Sequence, residues 1–226
     1  MNEQYINVTV KSGAEFGKEE KDDWIVLTIW PPGWPPEVNT STHVPLTFPT
    51  IEWFNDMKTR KFESEREVEY FYIVPLLEKL GYDYEDIVIS CPVNMYRGVR
   101  KTTKHADVVL FNGPGREIED VLLVIESKDD KKGITVDNIG QAKSYARELL
   151  PACYVITNGR QIIVFRFNGM WYQDERVMDF DRSMLNEMWA DLYKYISKKA
   201  AIDRKLWLKS LIQKYPTTDM DEHRPT

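Results

Sequence analysis

Apolar positions in the middle of this chain repeat first at helical and then at strand spacing. Val68, Phe71, Tyr72, Leu76 and Leu80 recur on one helical face, with Ser64 offering an N-cap and Gly81 a stop. Pro75 lies inside that run and predicts a kink or break, because its ring removes a donor and crowds the preceding turn. Three apolar runs follow, Ile87 to Ser90, Ala106 to Phe111 and Val121 to Ile125, and the last two read as central strands. Asn138 to Leu150 is a second helix with Ile139, Ala142, Ala146 and Leu149 inward, ended by Pro151. Strands at Cys153 to Ile156 and Ile162 to Phe167 are joined through Asn158-Gly159, a hairpin-turn pair. Helix, three strands, helix and two strands is therefore the predicted order.

The flanks read differently. Strand candidates lie at Tyr5 to Val10 and Trp24 to Trp30, and the prolines of Trp30-Pro31-Pro32-Gly33-Trp34-Pro35-Pro36 stop regular structure in a loop expected to pack over the core. From Phe180 to Tyr215, Met184, Met188, Trp189, Leu192, Tyr195, Ile196, Ile202, Leu206, Trp207 and Leu211 fit one or two amphipathic helices. These patterns divide the chain into an N-terminal Trp/Pro-rich extension (1–59), an α/β core (60–170), a C-terminal helical region (171–215) and a polar, disordered tail (216–226).

Composition narrows the class. The 226 residues carry a net charge of −6, which argues against a protein that coats nucleic acid by electrostatics alone. No apolar run is long enough to span a membrane, and the first residues lack the order of a secretory signal. With only Cys91 and Cys153 present, the chain is expected to be cytoplasmic with both thiols reduced. No phosphate-binding loop ending in Gly-Lys-Ser/Thr occurs, so an ATP-driven motor would be another protein.

The candidate chemistry lies where two predicted central strands meet polar residues. Strand alternation sends Glu126 and Lys128 to one side and points Ser127 away, leaving its carbonyl at the same edge, while Asp107 opens the preceding strand. Two carboxylates, a carbonyl and an ammonium make an oxygen-rich environment of the kind Mg²⁺ accepts. Such an ion polarises a phosphodiester and eases formation of hydroxide, with the lysine orienting the water or offsetting negative charge. Taken alone, an Asp at a strand start and a Glu-x-Lys at a strand end are also ordinary punctuation.

Glu65 shares the side of Val68, Tyr72 and Leu76; Glu69 lies about 40° from it and is its rival, whereas Glu67 is about 200° away. A carboxylate on an inward stripe needs a partner, although a helix-start carboxylate is also favoured by the macrodipole. Gln141 and Tyr145 stack at i, i+4 on the second helix, within reach of a phosphate, a water or a catalytic carboxylate. Basic residues Arg97, Arg100, Lys101, Lys104 and His105 precede Asp107, and Lys131 and Lys132 follow the triplet. They either position phosphates or line a solvated loop between strands. The C-terminal lysines and arginines read as a solvated helix face.

The ordered set Ser64-Glu65-Arg66-Glu67-Val68, Ile73 to Tyr82, Ala106-Asp107-Val108-Val109-Leu110, Val124-Ile125-Glu126-Ser127-Lys128, Gln141-Ala142-Lys143-Ser144-Tyr145-Ala146 and Tyr154 to Gly159 resembles the N-terminal nuclease domain of type I restriction enzyme R subunits and stand-alone relatives, within the PD-(D/E)XK superfamily. The resemblance spans about residues 60 to 170. It implies a restriction-endonuclease-like mixed sheet flanked by helices, with an α-β-β-β-α-β core. It also implies an Mg²⁺-dependent endonuclease acting on DNA in restriction or defence, with Mn²⁺ as a substitute. Asp107, Glu126, Lys128, Glu65, Gln141 and Tyr145 would then form the catalytic set, with Asp107, Glu126, Glu65 and the Ser127 carbonyl on the metal. The helicase motor of R subunits is missing from this sequence. A nuclease-fold subunit or binding module, active only inside a larger assembly, is therefore the alternative, and a homodimer or accessory motor and specificity proteins are candidate partners.

Overall fold

A computed structural model describes residues 15–21, 24–30, 48–97, 100–169 and 173–214. The chain divides into two compact units, residues 1–45 and 46–226. In the first, β1 (Glu15–Lys21) and β2 (Trp24–Trp30) form an antiparallel ribbon in which Glu15 faces Trp30 and Lys21 faces Trp24. The strand expected at residues 5–10, the proline-rich loop at 31–36 and the tail at 216–226 fall outside the described residues.

The second unit opens with α1 (Ile51–Thr59), α2 (Glu65–Val68), a π-helical turn (Glu69–Ile73) and α3 (Val74–Lys79). Strands β3 (Ile87–Arg97), β4 (Arg100–Phe111) and β5 (Val121–Ser127) follow, and α4 (Val136–Leu149) crosses over to β6 (Cys153–Thr157). Then come β7 (Gln161–Arg166), β8 (Glu175–Asp181), α5 (Trp189–Ile196) and α6 (Lys198–Lys214). The strands β3 to β8 lie in chain order in one six-stranded sheet. Its one parallel pair is β5–β6, the pair whose ends must be joined by a crossover helix. This is the expected mixed sheet flanked by helices.

Alternation along the strands divides the interior. Val108, Leu110, Leu123 and Ile125 pack with Phe54, Val68, Tyr72, Leu77 and Trp189 on one face. Val109, Val124 and Ile156 pack with Ala142, Tyr145 and Leu208 on the other. With helices on both faces, every residue of β5 is buried, which explains why that strand reads as a continuous apolar run.

The opening helix begins where the sequence predicts. Ser64 Oγ accepts from the Glu67 amide at 3.3 Å, and the Glu67 carboxylate accepts from the Glu63 amide at 2.8 Å. The disturbance expected at Pro75 takes the form of the π-helical turn. Without a Pro75 amide the Phe71 carbonyl loses its helical donor, and Arg60 Nη1 donates to it at 3.1 Å. The wider turn also shifts the helical face, so Phe71, expected inward, is 51% exposed while Ile73 is buried. Gly81, at φ +89°, ends the helix as predicted, with the Tyr82 amide donating to the Leu77 carbonyl at 3.1 Å.

Two other expectations are corrected. β3 and β4 are far longer than their apolar runs, so Arg97, Arg100, Lys101, Lys104 and His105 sit on paired strands rather than in a loop. Cross-strand hydrogen bonding does not require apolar side chains, and the polar half of the hairpin therefore left no hydrophobic signature. The C-terminal region starts with the edge strand β8, where Phe180 is buried, before its helices begin; Leu206, expected inward, is 59% exposed.

Candidate active site

β4 and β5 are antiparallel neighbours with Val108 opposite Ile125, which brings Asp107 beside the end of β5. The Ser127 amide donates to Asp107 Oδ2 at 2.8 Å. Lys128 Nζ lies among four acceptors: Glu126 Oε1 at 2.5 Å, the Ser127 carbonyl at 2.7 Å, Glu65 Oε1 at 3.6 Å and Asp107 Oδ2 at 3.8 Å. Those acceptors are the oxygens that the sequence pattern nominates as cation ligands, gathered here around one ammonium.

Glu69 enters the site as well. Each of Glu65, Glu69 and Asp107 offers a carboxylate oxygen within 4.8 Å of the other two. Glu69 is buried; it accepts from Ser127 Oγ at 3.1 Å and from Arg66 Nη1 at 3.1 Å. Glu65 is the more exposed of the two, so the helix supplies one open and one enclosed carboxylate rather than a choice between rivals. Ser127 does point away from Glu126, as alternation requires, and its hydroxyl finds Glu69 there. Its amide and hydroxyl therefore link Asp107 to Glu69 across the sheet end.

Electrostatics follow from this crowding. Burial, and then the charge of Asp107, push the Glu126 carboxyl up to about 7, against the hydrogen bond from Lys128. Glu126 Oε2 is buried with no hydrogen-bond partner among the described residues. Burial likewise raises Glu65, partly offset by Lys128. For Lys128, burial favours the neutral amine, but the hydrogen bond it donates to Glu126 and the surrounding carboxylates outweigh it and leave the ammonium held more firmly than usual. The residues fit a divalent cation: several carboxylates converge on one small volume, and a buried carboxylate oxygen has nothing to satisfy it.

Gln141 and Tyr145 face the same edge from α4. Gln141 Nε2 donates to Tyr145 Oη at 3.5 Å, and Tyr145 Oη donates to the His105 carbonyl at 2.9 Å. Burial first, and then the Glu126 and Asp107 charges, raise the Tyr145 phenol, keeping it a donor. Its direct partner is thus the backbone two residues before Asp107. Of the basic residues, Arg100, Lys101, Lys104 and His105 are exposed on β4; Lys131 pairs with Glu63 at 3.1 Å, and Lys132 is exposed.

One feature had no sequence signal. Ser90, which follows Ile89 where that residue pairs with Val108, has φ +57°, a left-handed conformation uncommon outside glycine. Across it the face presented to the α4 side changes, from Val88 and Val109 to Cys91, Val93 and Ala106. The hairpin rolls over at the level of Asp107. Cys91 and Cys153 are both free and buried.

No helix among the described residues is long and apolar enough to cross a membrane. No curated protein matches the chain. A solved fragment described as the HsdR subunit of a type I restriction enzyme from Vibrio vulnificus YJ016 is 21% identical, with a TM-score of 0.38, over 51% of this chain and 23% of that one. The chain thus spans less than a quarter of that structure's length. The family described as type I restriction enzyme R protein N terminus (HSDR_N) matches residues 64–179, from the cap of the opening helix into β8. That span includes every residue of the carboxylate and lysine cluster and more than half of the sequence: the chain belongs to the type I restriction enzyme R protein N-terminus family.

Proposed function

We propose that this protein is a divalent-metal-dependent endonuclease of the PD-(D/E)XK type that hydrolyses phosphodiester bonds in DNA. The observation that carries the reading is the position of Lys128 Nζ among Glu126, Asp107, Glu65 and the Ser127 carbonyl, beside the unpartnered Glu126 Oε2. Asp107, Glu126, Glu65 and the Ser127 carbonyl would hold Mg²⁺, with Glu69 within reach of the same group. When bound, the ion supplies positive charge for the phosphate and acidifies a water. Lys128 orients that water and offsets the negative charge that develops on the phosphate oxygens. Ser127 fixes Asp107 through its amide and Glu69 through its hydroxyl, so both carboxylates are aimed before substrate arrives. Gln141 and Tyr145 hold the backbone leading into Asp107.

The test is cleavage of supercoiled, linear and single-stranded DNA with Mg²⁺ or Mn²⁺ by the purified chain, alongside Glu126→Gln and Lys128→Ala. Each variant should lose about 10² to 10³-fold in rate. Equal cleavage by wild type and both variants would remove the site assignment. A second reading rests on the family match, which is to one end of an R protein: the domain then acts only inside an assembly with motor and specificity subunits. It is favoured if the isolated chain binds the cation at this site yet cuts nothing.

A further inference from the structure

We propose that the outer half of the β3–β4 hairpin is a two-stranded arm that grips the phosphate backbone of double-stranded DNA and registers it over Asp107. This deepens the proposed function and rests on it. β4 pairs with β5 only from Val108 onward, while its pairing with β3 continues from Ala106 opposite Cys91 to Arg100 opposite Arg97. Seven residue pairs therefore extend past the neighbouring strand, about 20 Å of ribbon at strand rise.

The arm is chemically unlike the rest of the molecule. Between Cys91 and Ala106 the sequence has no Asp or Glu, within a chain of net charge −6. Arg100, Lys101, Thr102, Thr103, Lys104 and His105 are all exposed. Among the described residues, none of Arg100, Lys101 and Lys104 forms an ion pair; Lys58, Lys61 and Lys79 are also unpaired but are not gathered on one strand. A concentrated, unneutralised positive strip in an acidic protein suits a polyanion.

The arm is also anchored. Val93 and Ala106 are buried against the α4 side, and Tyr145 Oη holds the His105 carbonyl. A phosphate bound at Lys104 is thus on the same rigid strand as Asp107, three residues away. Duplex rather than single strand is favoured by shape, because a two-stranded ribbon fits the major groove.

The experiment compares wild type with the triple variant Arg100→Gln/Lys101→Gln/Lys104→Gln. A control triple, Lys58→Gln/Lys61→Gln/Lys79→Gln, removes the same charge from exposed positions elsewhere. Fluorescence anisotropy in Ca²⁺ measures binding to a duplex and to its single strand against salt, and calorimetry measures cation binding. The arm variant should reduce the slope of log K against log salt on duplex by about 2.7, so that wild type loses about 40-fold more affinity than the variant between about 50 and 200 mM salt. The control should keep the wild-type slope, and all three proteins should bind the cation alike.

An unchanged slope in the arm variant, or an equal fall in the control, overturns the arm. A loss of affinity as large on the single strand overturns the duplex assignment. Wild type that binds neither form overturns it too. If the slope falls as expected but wild type cuts no DNA, the arm stands and the hydrolytic reading fails; the reverse pair of results sinks the arm alone.

Discussion

At the scale of single residues, Lys128 carries the sharpest consequence. Its ammonium lies within 4 Å of three carboxylates and 2.7 Å from the Ser127 carbonyl, so it competes for the oxygens that a cation would use. Lys128→Ala should therefore separate two quantities that fall together in Glu126→Gln. Cleavage should drop while cation affinity, read by calorimetry, tightens by about tenfold, because one nearby positive charge is gone. Weaker cation binding in Lys128→Ala would mean that the lysine holds the ligands in place rather than competing for them. Glu126 and Lys128 were legible in the sequence because their spacing at a strand end fixes a common side. The enclosure of Glu69 was not, since its 40° offset from Glu65 could not say how deep the helix sits, and the left-handed Ser90 left no mark at all.

At the scale of elements, the turn between β6 and β7 matters more than a surface hairpin ordinarily would. Gly159 has φ +79°, and a Cβ there would stand 2.9 Å from Phe62 Cδ2 and 3.2 Å from Val68 Cγ2, at the root of the helix that carries Glu65 and Glu69. Gly159→Ala should cost about 2–4 kcal/mol in urea unfolding, from left-handed strain plus overpacking. A loss below about 0.5 kcal/mol, the range of surface substitutions, would show that the turn relaxes without disturbing the helix. Asn158-Gly159 was readable as a turn from sequence. What it packs against was not, because Phe62 and Gly159 are far apart in the chain and only the sheet brings them together. The opening helix shows the same division: its cap and stop were legible, whereas the π-helical turn that rescues Pro75 depends on Arg60 donating from outside the helix.

At the scale of the whole molecule, the later half of α6 covers the face opposite the opening helix, where a buried cation ties it down. Lys205 is 7% exposed, and its ammonium donates to the Ile118 carbonyl at 2.9 Å and the Leu150 carbonyl at 2.5 Å, where α4 ends. Burial lowers its pKa from 10.5 to about 8. Between those values the unfolded chain holds a proton that the folded one has released, so folding stability rises with pH through that window and the benefit is lost below about 8. Relative to Lys205→Met, whose other titrations are the same, wild type should gain about 1–3 kcal/mol between pH 8 and 10.5 in denaturant unfolding. A constant difference across that range would mean that the two carbonyls hold the ammonium charged as firmly as water does.

Local pattern is enough to specify the elements of the core and the identity of its candidate chemistry. Hydrophobic period, caps and turn pairs are local, and strand alternation assigns Glu126 and Lys128 to one side without any knowledge of neighbours. Long-range contacts are needed to set which carboxylates meet, that Ser127 ties Asp107 to Glu69, and that a basic run becomes an anchored arm ending at Asp107. Those outcomes depend on strand order, on helix depth and on a pleat reversal at Ser90, which arise from contacts between residues distant in sequence and leave no periodic trace in it.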